Sequence, residues 1–397
     1  MPKTRDVFTK VYQLCKARGF VFERSVSLPG EHVFSGLDYG PLGVEIKRNL
    51  YEEWWREIVT SRENVYGLDL AWPAVNNLKI QSEEVSKLNN SKYQHLGEYL
   101  TDTYHYACKL FKNQDTNQTQ NSIGLAQSLT ILQSDNATTN EFMFRAQVKE
   151  FFKLCFFCES NKVNYWMDYW MRKRLSWWKK YADIPAEITL VDKDYRNQFF
   201  QSSDENLLDT MSVQFNFPWG AEAVECISSY SEMKKLTKQI PSQDDINLGV
   251  VIATLSVERG ILAYLLDAYH ETEYLDLMGN TTNHSKLRLH PALAPVKVAV
   301  LSDNAINTDL GRVARQLTTE LRQAGITSHY FEVERSSDML DKYACQQDEI
   351  GTLYTVTVQD STLTNGIVTL RNRDTTLSEF LHISEVLKTV QRHLDSQ

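Results

Sequence analysis

The 397-residue chain is as informative in what it lacks as in what it holds. No run approaches 18 consecutive apolar residues, the length a helix needs to cross a bilayer, so no membrane-spanning helix and no membrane partner is expected. Positive charge is in deficit: 42 Lys and Arg stand against 51 Asp and Glu, a formal net charge of −9. A surface that coats nucleic acid indiscriminately is thereby excluded, because phosphate neutralisation needs a basic field. A local basic patch is not excluded. Cysteine is sparse, six residues scattered at 15, 108, 155, 158, 226 and 345. A chain of this length can build two or three cores without disulfide staples, so the scatter favours a reducing compartment. Only one CxxC occurs, Cys155 and Cys158 within FFKLCFFCES. It reads as half a zinc site, a redox pair, or a buried strand carrying small apolar thiols. A zinc site needs two more ligands at comparable spacing, which the sequence does not offer, and the aromatic surroundings favour the strand. No metal and no cofactor is called for.

The N-terminus, MPKTRDVFTKVYQLCKARGF, has no apolar core of a secretory signal. Its cations, Lys3, Arg5, Lys10, Lys16 and Arg18, suit an organelle-import segment. They suit equally a first amphipathic helix with Val7, Val11, Leu14 and Cys15 on one face. No internal repeat is present.

What the chain does hold is aromatic surface: 8 Trp, 19 Tyr and 17 Phe. From Val44 to Val59 a helix is predicted, with Ile46, Leu50, Trp54 and Ile58 recurring every fourth residue after the turn-forming DYGPLG. A further helix is placed around Tyr99–Phe111, before an exposed NQDTNQTQNS loop. A long helix is predicted over Val163–Tyr181, and half of the tryptophans lie in it, at 166, 170, 177 and 178. Its RKRLSWWKK stretch gathers Arg172, Lys173, Arg174, Lys179 and Lys180 without an acid. Interleaved cations and indoles are what a nucleic-acid contact uses, through phosphate neutralisation and stacking. The same pattern describes a core aromatic stripe beside a solvated basic face. The region Ala186–Ile246 reads as irregular apart from a strand in QFNFPWG, and a buried strand over Val250–Leu255 runs into the helix of SVERGILAYLLDAY.

After HPALAP the pattern changes, and a domain boundary is placed near residue 289. A strand at Val296–Leu301, a helix ending at Gly325 and a strand at Ile326–Val333 imply a parallel pair. Thr352–Val358 and Gly366–Arg371 form a hairpin-like element around Asn365-Gly366, and a helix over Ser384–His393 closes the module. Neither part is broadly basic: 32 cations face 37 acids before residue 289, and 10 face 14 from there on.

Three separated stretches, FSGLDYGPLGVEIKRNLYEEWW, LRLHPALAPVKVAVL and QQDEIGTLYTVTVQDSTLTNGIVTLRNRDT, resemble homodimeric class II glycyl-tRNA synthetases. The resemblance implies an α+β fold. A class II synthetase-like antiparallel sheet domain would occupy 1–288, with a divergent insertion at about 73–120. An anticodon-binding-like α/β domain with a mixed sheet would occupy 289–397. ATP activation needs an arginine clamp, a close backbone cradle and acids for metal and amino group. Against the family's motifs, Arg145 is kept but Gln147 stands where an acid belongs. Aligned on Arg259, Ile252 replaces the family's Glu, and Ser256 replaces a glycine. Ile252 cannot bind an ammonium, and the Arg-Pro-Glu-Thr-Ala-Gln-Gly segment is missing. Adenylate formation is therefore not expected.

Where the chain leaves the synthetases, YWMDYWMRKRLSWWKKYA, FNFPWGAEAVE, LSVERGILAYLLDAY and LRNRDTTLSEFLHIS are similar to the family of mitochondrial DNA polymerase accessory subunits, degenerate relatives of those enzymes. That resemblance implies a non-catalytic processivity role in the mitochondrial matrix, at the nucleoid. The partners would be the polymerase catalytic subunit and double-stranded or primer-template DNA, with monomer and homodimer both open. Gly366, Arg371, Arg373 and Asp374 are the partner-facing candidates, and the cations at 172–174 and 179–180 the DNA-facing ones. An active glycyl-tRNA synthetase and a catalytically dead RNA-binding regulator are the rival classes.

Overall fold

The computed structural model describes residues 5–28, 31–69, 103, 105–107, 109–110, 122–132, 148–192, 207–231, 248–275, 281–304, 308–334 and 337–395. The chain divides into two units, one of Met1–Leu50, Tyr181–Ile184 and Tyr264–Gln397, the other of Tyr51–Lys180 and Pro185–Ala263.

Helix α1 (Arg5–Arg18) buries Val11, Leu14 and Cys15, the face expected from the sequence. Lys10 pairs with Glu271 at 2.9 Å, and Arg18 with Glu349, so the cations of α1 tie it to the rest of its unit. A hairpin, β1 (Val21–Leu28) and β2 (Glu31–Tyr39), leads into α2 (Pro41–Trp55), which extends through a wider turn, Arg56–Thr60. Ile46, Leu50, Trp54 and Ile58 are all buried, as their four-residue recurrence requires.

The second unit is built on one seven-stranded sheet of β3 (Val65–Gly67), β4 (Ser122–Leu132), β5 (Val148–Glu159), β6 (Ile188–Asp192), β7 (Leu207–Phe217), β8 (Gly220–Tyr230) and β9 (Leu248–Ser256). The spatial order is β3-β4-β5-β9-β8-β7-β6, antiparallel except between β3 and β4. Central β9 is buried along its whole length, which is why LGVVIATLS reads as a continuous apolar run rather than an alternating one. Helix α3 (Val163–Lys180) follows β5 and packs Trp170 edge-on against Phe156. Helix α4 (Val257–Ala268) follows β9 directly.

The region expected to be irregular, Ala186–Ile246, holds three strands of this sheet among its described residues. The alternation was hidden because β7 and β8 bury polar groups, Ser212, Gln214, Glu225 and Ser229, where a simple pattern places hydrocarbon. Of the helix predicted around Tyr99–Phe111, the described residues are helical. Most of the loop after it lies outside the described residues.

Beyond the hairpin β10 (Tyr269–Leu275) and β11 (Thr281–Leu287), a five-stranded mixed sheet forms in the first unit. Its order is β13 (Ser328–Glu334), β12 (Val298–Asn304), β14 (Tyr354–Val358), β15 (Ile367–Asn372), β16 (Ser378–His382). The first three are parallel, the last two antiparallel. Helix α5 (Thr308–Gln323) links β12 to β13, α6 (Ser337–Ile350) precedes β14, and α8 (Val386–Asp395) ends the fold. The β14–β15 connection is not a tight turn. A short helix, α7 (Asp360–Asn365), fills it, and Gly366 ends that helix at φ 70°, where a Cβ would run into the His382 ring.

Candidate functional site

Residues opposite one another in a sheet share a face, so the register defines what that face presents. Gln127 of β4 faces Lys153 of β5, which faces Thr254 of β9, then Cys226 of β8 and Ser212 of β7. All five are buried. Burial of polar groups on this scale costs free energy unless they are hydrogen-bonded, so a polar row across five strands is not an economical core. Desolvation pushes the Lys153 ammonium below the usual lysine range. Among the described residues the Gln127 carbonyl oxygen has no hydrogen-bond partner.

Ile252 and Ser256 flank Thr254 on the same face, two residues to either side. Ile252 is packed with Ile123, Leu125, Cys155 and Val250, so its part of this face is hydrocarbon. At the start of α4, Arg259 pairs with Glu222 at 3.1 Å and donates to the Ala223 carbonyl oxygen. Beside it, Glu258 accepts a 3.0 Å hydrogen bond from the Glu150 backbone N–H. Its burial pushes the carboxyl up to about 7. Arg145 and Gln147 lie outside the described residues.

The single CxxC settles as strand. Cys155 and Cys158 are buried on β5, and a three-residue offset sends them to opposite faces of the sheet, so they cannot clasp one ion. Desolvation pushes the Cys158 thiol up to about 12.

Helix α3 corrects the expectation for its cations. Arg174, expected on the basic face, is fully buried. Its Nε donates to the Glu225 carboxylate at 2.8 Å, and its guanidinium lies 4.3 Å from the Trp177 ring centre. Trp178 donates to the other Glu225 oxygen at 2.5 Å. Trp170, Trp177 and Trp178 are buried too, so these indoles are core and not a stacking platform. What remains outward is Arg172, ion-paired with Asp168, Lys173 over the Tyr169 ring, and Lys180, with Lys179 half-buried.

In the first unit the partner-facing candidates separate similarly. Arg373, expected at a surface, is buried at 2% exposure and donates to the Gly351 and Leu289 carbonyl oxygens and to Asp374. Arg371 makes a two-pronged pair with Asp348 at 2.8 and 2.7 Å. Both arginines hold the module together. Gly366 serves the helix end already described, and Asp374 is exposed, shared between Arg373 and Arg288. The exposed feature that sequence reasoning passed over is β16, the edge strand, with Phe380 79% and Leu377 72% exposed. The signal was an aromatic and a leucine in a Thr/Ser/Glu-rich stretch, TTLSEFLH. Lys153 was likewise legible as a lone charge inside an apolar strand, FFKLCFF.

Residues 295–393 match the family described as "Anticodon binding domain". Over 97% of its length the chain is 29% identical to "DNA polymerase subunit gamma-2, mitochondrial" of Xenopus laevis, covering 87% of that protein. It is 28% identical to "DNA polymerase subunit gamma-2" of Bos taurus over 97% of this chain and 85% of the relative. Similarity extends to a glycine–tRNA ligase of Streptomyces coelicolor, at 27% identity over 96% of this chain and 97% of the ligase. The fold is that of a class II synthetase: prolyl-tRNA synthetase of Giardia lamblia, solved with prolyl-adenylate, superposes with a TM-score of 0.66 at 12% identity, over 100% of this chain and 80% of that one.

Proposed function

We infer that this chain is a non-catalytic accessory subunit of a mitochondrial DNA polymerase, a degenerate relative of glycyl-tRNA synthetase that binds the catalytic subunit and strengthens its hold on primer–template DNA. The observation that carries the reading is the apolar edge of the mixed sheet. Phe380 and Leu377 stand exposed on and beside β16, a strand with one unpaired edge, in the domain matching the anticodon-binding family. Exposed aromatic and leucine side chains at a sheet edge suit a protein partner, which gains their burial on docking. The near-full-length similarity to two polymerase subunits names the partner's kind. The chemistry follows from tethering: a second contact surface raises the effective concentration of polymerase at the primer end without any new reaction.

The loss of synthetase activity belongs to the same reading. Ile252 and Ser256 stand where the reaction calls for an acid and an open backbone, and Arg259 is engaged by Glu222. The outward cations of α3 are the DNA contacts, acting after the polymerase has been bound. The protein works in the mitochondrial matrix, at the nucleoid. Sedimentation of the purified chain separates monomer from homodimer.

The test is primer extension by the catalytic subunit at moderate salt, with and without this chain. Longer products per binding event and co-purification are expected, with no glycine-dependent ATP–pyrophosphate exchange. Unchanged product length with no co-purification overturns the reading, and glycine-dependent exchange replaces it with a ligase.

A further inference from the structure

Five cysteines are described, and four share one fate. Cys15, Cys155, Cys158 and Cys226 are buried. Desolvation drives the thiols of Cys15, Cys158 and Cys226 upward, the last two to about 12. Such thiols hold their protons and are shielded from reagents.

Cys345 differs in its exposure. It sits in α6, partly exposed, on the side of the helix packed against β11. Its sulfur lies 3.0 Å from Nδ1 of His284 in β11. The imidazole is itself held in place. The His284 backbone carbonyl oxygen accepts from the Thr272 hydroxyl of β10, and the next residue, Ser285, donates to Glu349 one turn along α6 from Cys345. Glu349 also pairs with Arg18 of α1. A base at hydrogen-bond distance from a thiol, on a frame that fixes the two against each other, is the arrangement that activates a sulfur nucleophile.

We propose that Cys345, with His284 as its base, is the reactive thiol among the described cysteines and a site of reversible oxidation by hydrogen peroxide. In the step, the thiol proton passes to Nδ1 of His284 and the sulfur attacks one peroxide oxygen. The O–O bond breaks, an S–O bond forms, and the departing hydroxide takes up the proton from the imidazole. One thiol and one peroxide give one sulfenic acid and one water; sulfur is oxidised and the peroxide reduced. The new oxygen occupies the seam between α6 and β11, and a small thiol such as glutathione returns the group through a mixed disulfide.

The inference does not rest on the polymerase reading, and it is tested on the isolated full-length chain. Native protein is exposed to hydrogen peroxide with dimedone, which traps sulfenic acid, and the adducts are located by peptide mass spectrometry. Iodoacetamide labelling is followed in parallel. Cys345 is expected to react at least tenfold faster than Cys15, Cys155, Cys158 or Cys226 with both reagents. His284→Gln is expected to slow Cys345 at least fivefold while the melting transition stays cooperative. A histidine that merely packs the seam would do the reverse, since its loss opens the cleft and speeds labelling. Cys345→Ser removes the fast-reacting site without unfolding the chain. Fast reaction at any other cysteine in preference to Cys345, or an unchanged or faster Cys345 in His284→Gln, overturns the proposal.

Discussion

A buried charge is stable only in company, and Glu225 has two companions, Arg174 and Trp178. Arg174→Met leaves the carboxylate buried with one N–H donor. The expected cost is about 3–5 kcal/mol in urea unfolding, whereas Arg174→Met with Glu225→Leu recovers most of it, because paired removal leaves no orphan charge. A single variant as stable as the parent would mean that water reaches the carboxylate. Glu258 makes the opposite prediction. Its carboxyl titrates at about 7 in the fold against an ordinary value of 4.5, so the folded state holds its proton more tightly than the unfolded chain. Stability from this group is therefore highest in acid, falls between pH 4.5 and 7, and is lowest above that. Glu258→Gln keeps an oxygen for the Glu150 N–H and never ionises. It should stabilise the chain by a few kcal/mol at pH 8, on the order of 1.4 for each pH unit between the folded and unfolded titrations, and by almost nothing at pH 4.5. Equal gains at both pH values would refute it. These residues were hard to foresee in the sequence, because a lone Glu or Arg in a strand or helix defaults to the surface, and only the three-dimensional pairing of Arg174 with Glu225 reverses that default.

Elements were legible where one kind of periodicity dominates. Helices α2, α3 and α5 bury the stripes their spacing announces, and β9 the run its composition announces. Strands β7 and β8 were not, since buried Ser212, Gln214 and Glu225 break the apolar alternation. The antiparallel pair β14–β15 was legible, but not the short helix that joins it: Asn365-Gly366 is the usual tight-turn pair, yet here glycine ends a one-turn helix. Gly366→Ala should cost about 1–3 kcal/mol, from the left-handed backbone and the His382 ring, and differential scanning calorimetry would register it as a lower melting temperature. Strand β16 carries the proposed docking surface. Phe380→Asp with Leu377→Asp alters residues already in solvent, so unfolding free energy should stay within about 0.5 kcal/mol of the parent. Co-purification with the catalytic subunit should be lost. A double variant that still co-purifies at full yield would move the docking surface elsewhere.

At the scale of the whole molecule, a net charge of −9 sets the terms on which DNA can be approached. The two sheets were readable as a class II synthetase fold with an anticodon-binding module, because motif wording survives over long spans. The division into units was not readable. It falls within α4 and gathers the N-terminal helix with the C-terminal module, a grouping made by contacts between segments far apart in sequence. Burial of Arg174 further trims the basic face of α3 to Arg172, Lys173, Lys179 and Lys180, and Arg172 is already shared with Asp168. An acidic chain with so small a basic patch gains little from DNA alone. Its contribution should emerge once the polymerase holds the duplex nearby and each added phosphate interaction is intramolecular. Arg172→Gln with Lys173→Gln should then weaken DNA binding by the two-subunit complex, and reduce the slope of log affinity against log salt by about 2, close to 0.9 for each phosphate no longer neutralised. Fluorescence anisotropy with labelled primer–template across a salt series measures that slope. A weaker affinity at constant slope would trace the effect to packing of α3, and a constant affinity would return these cations to the solvent.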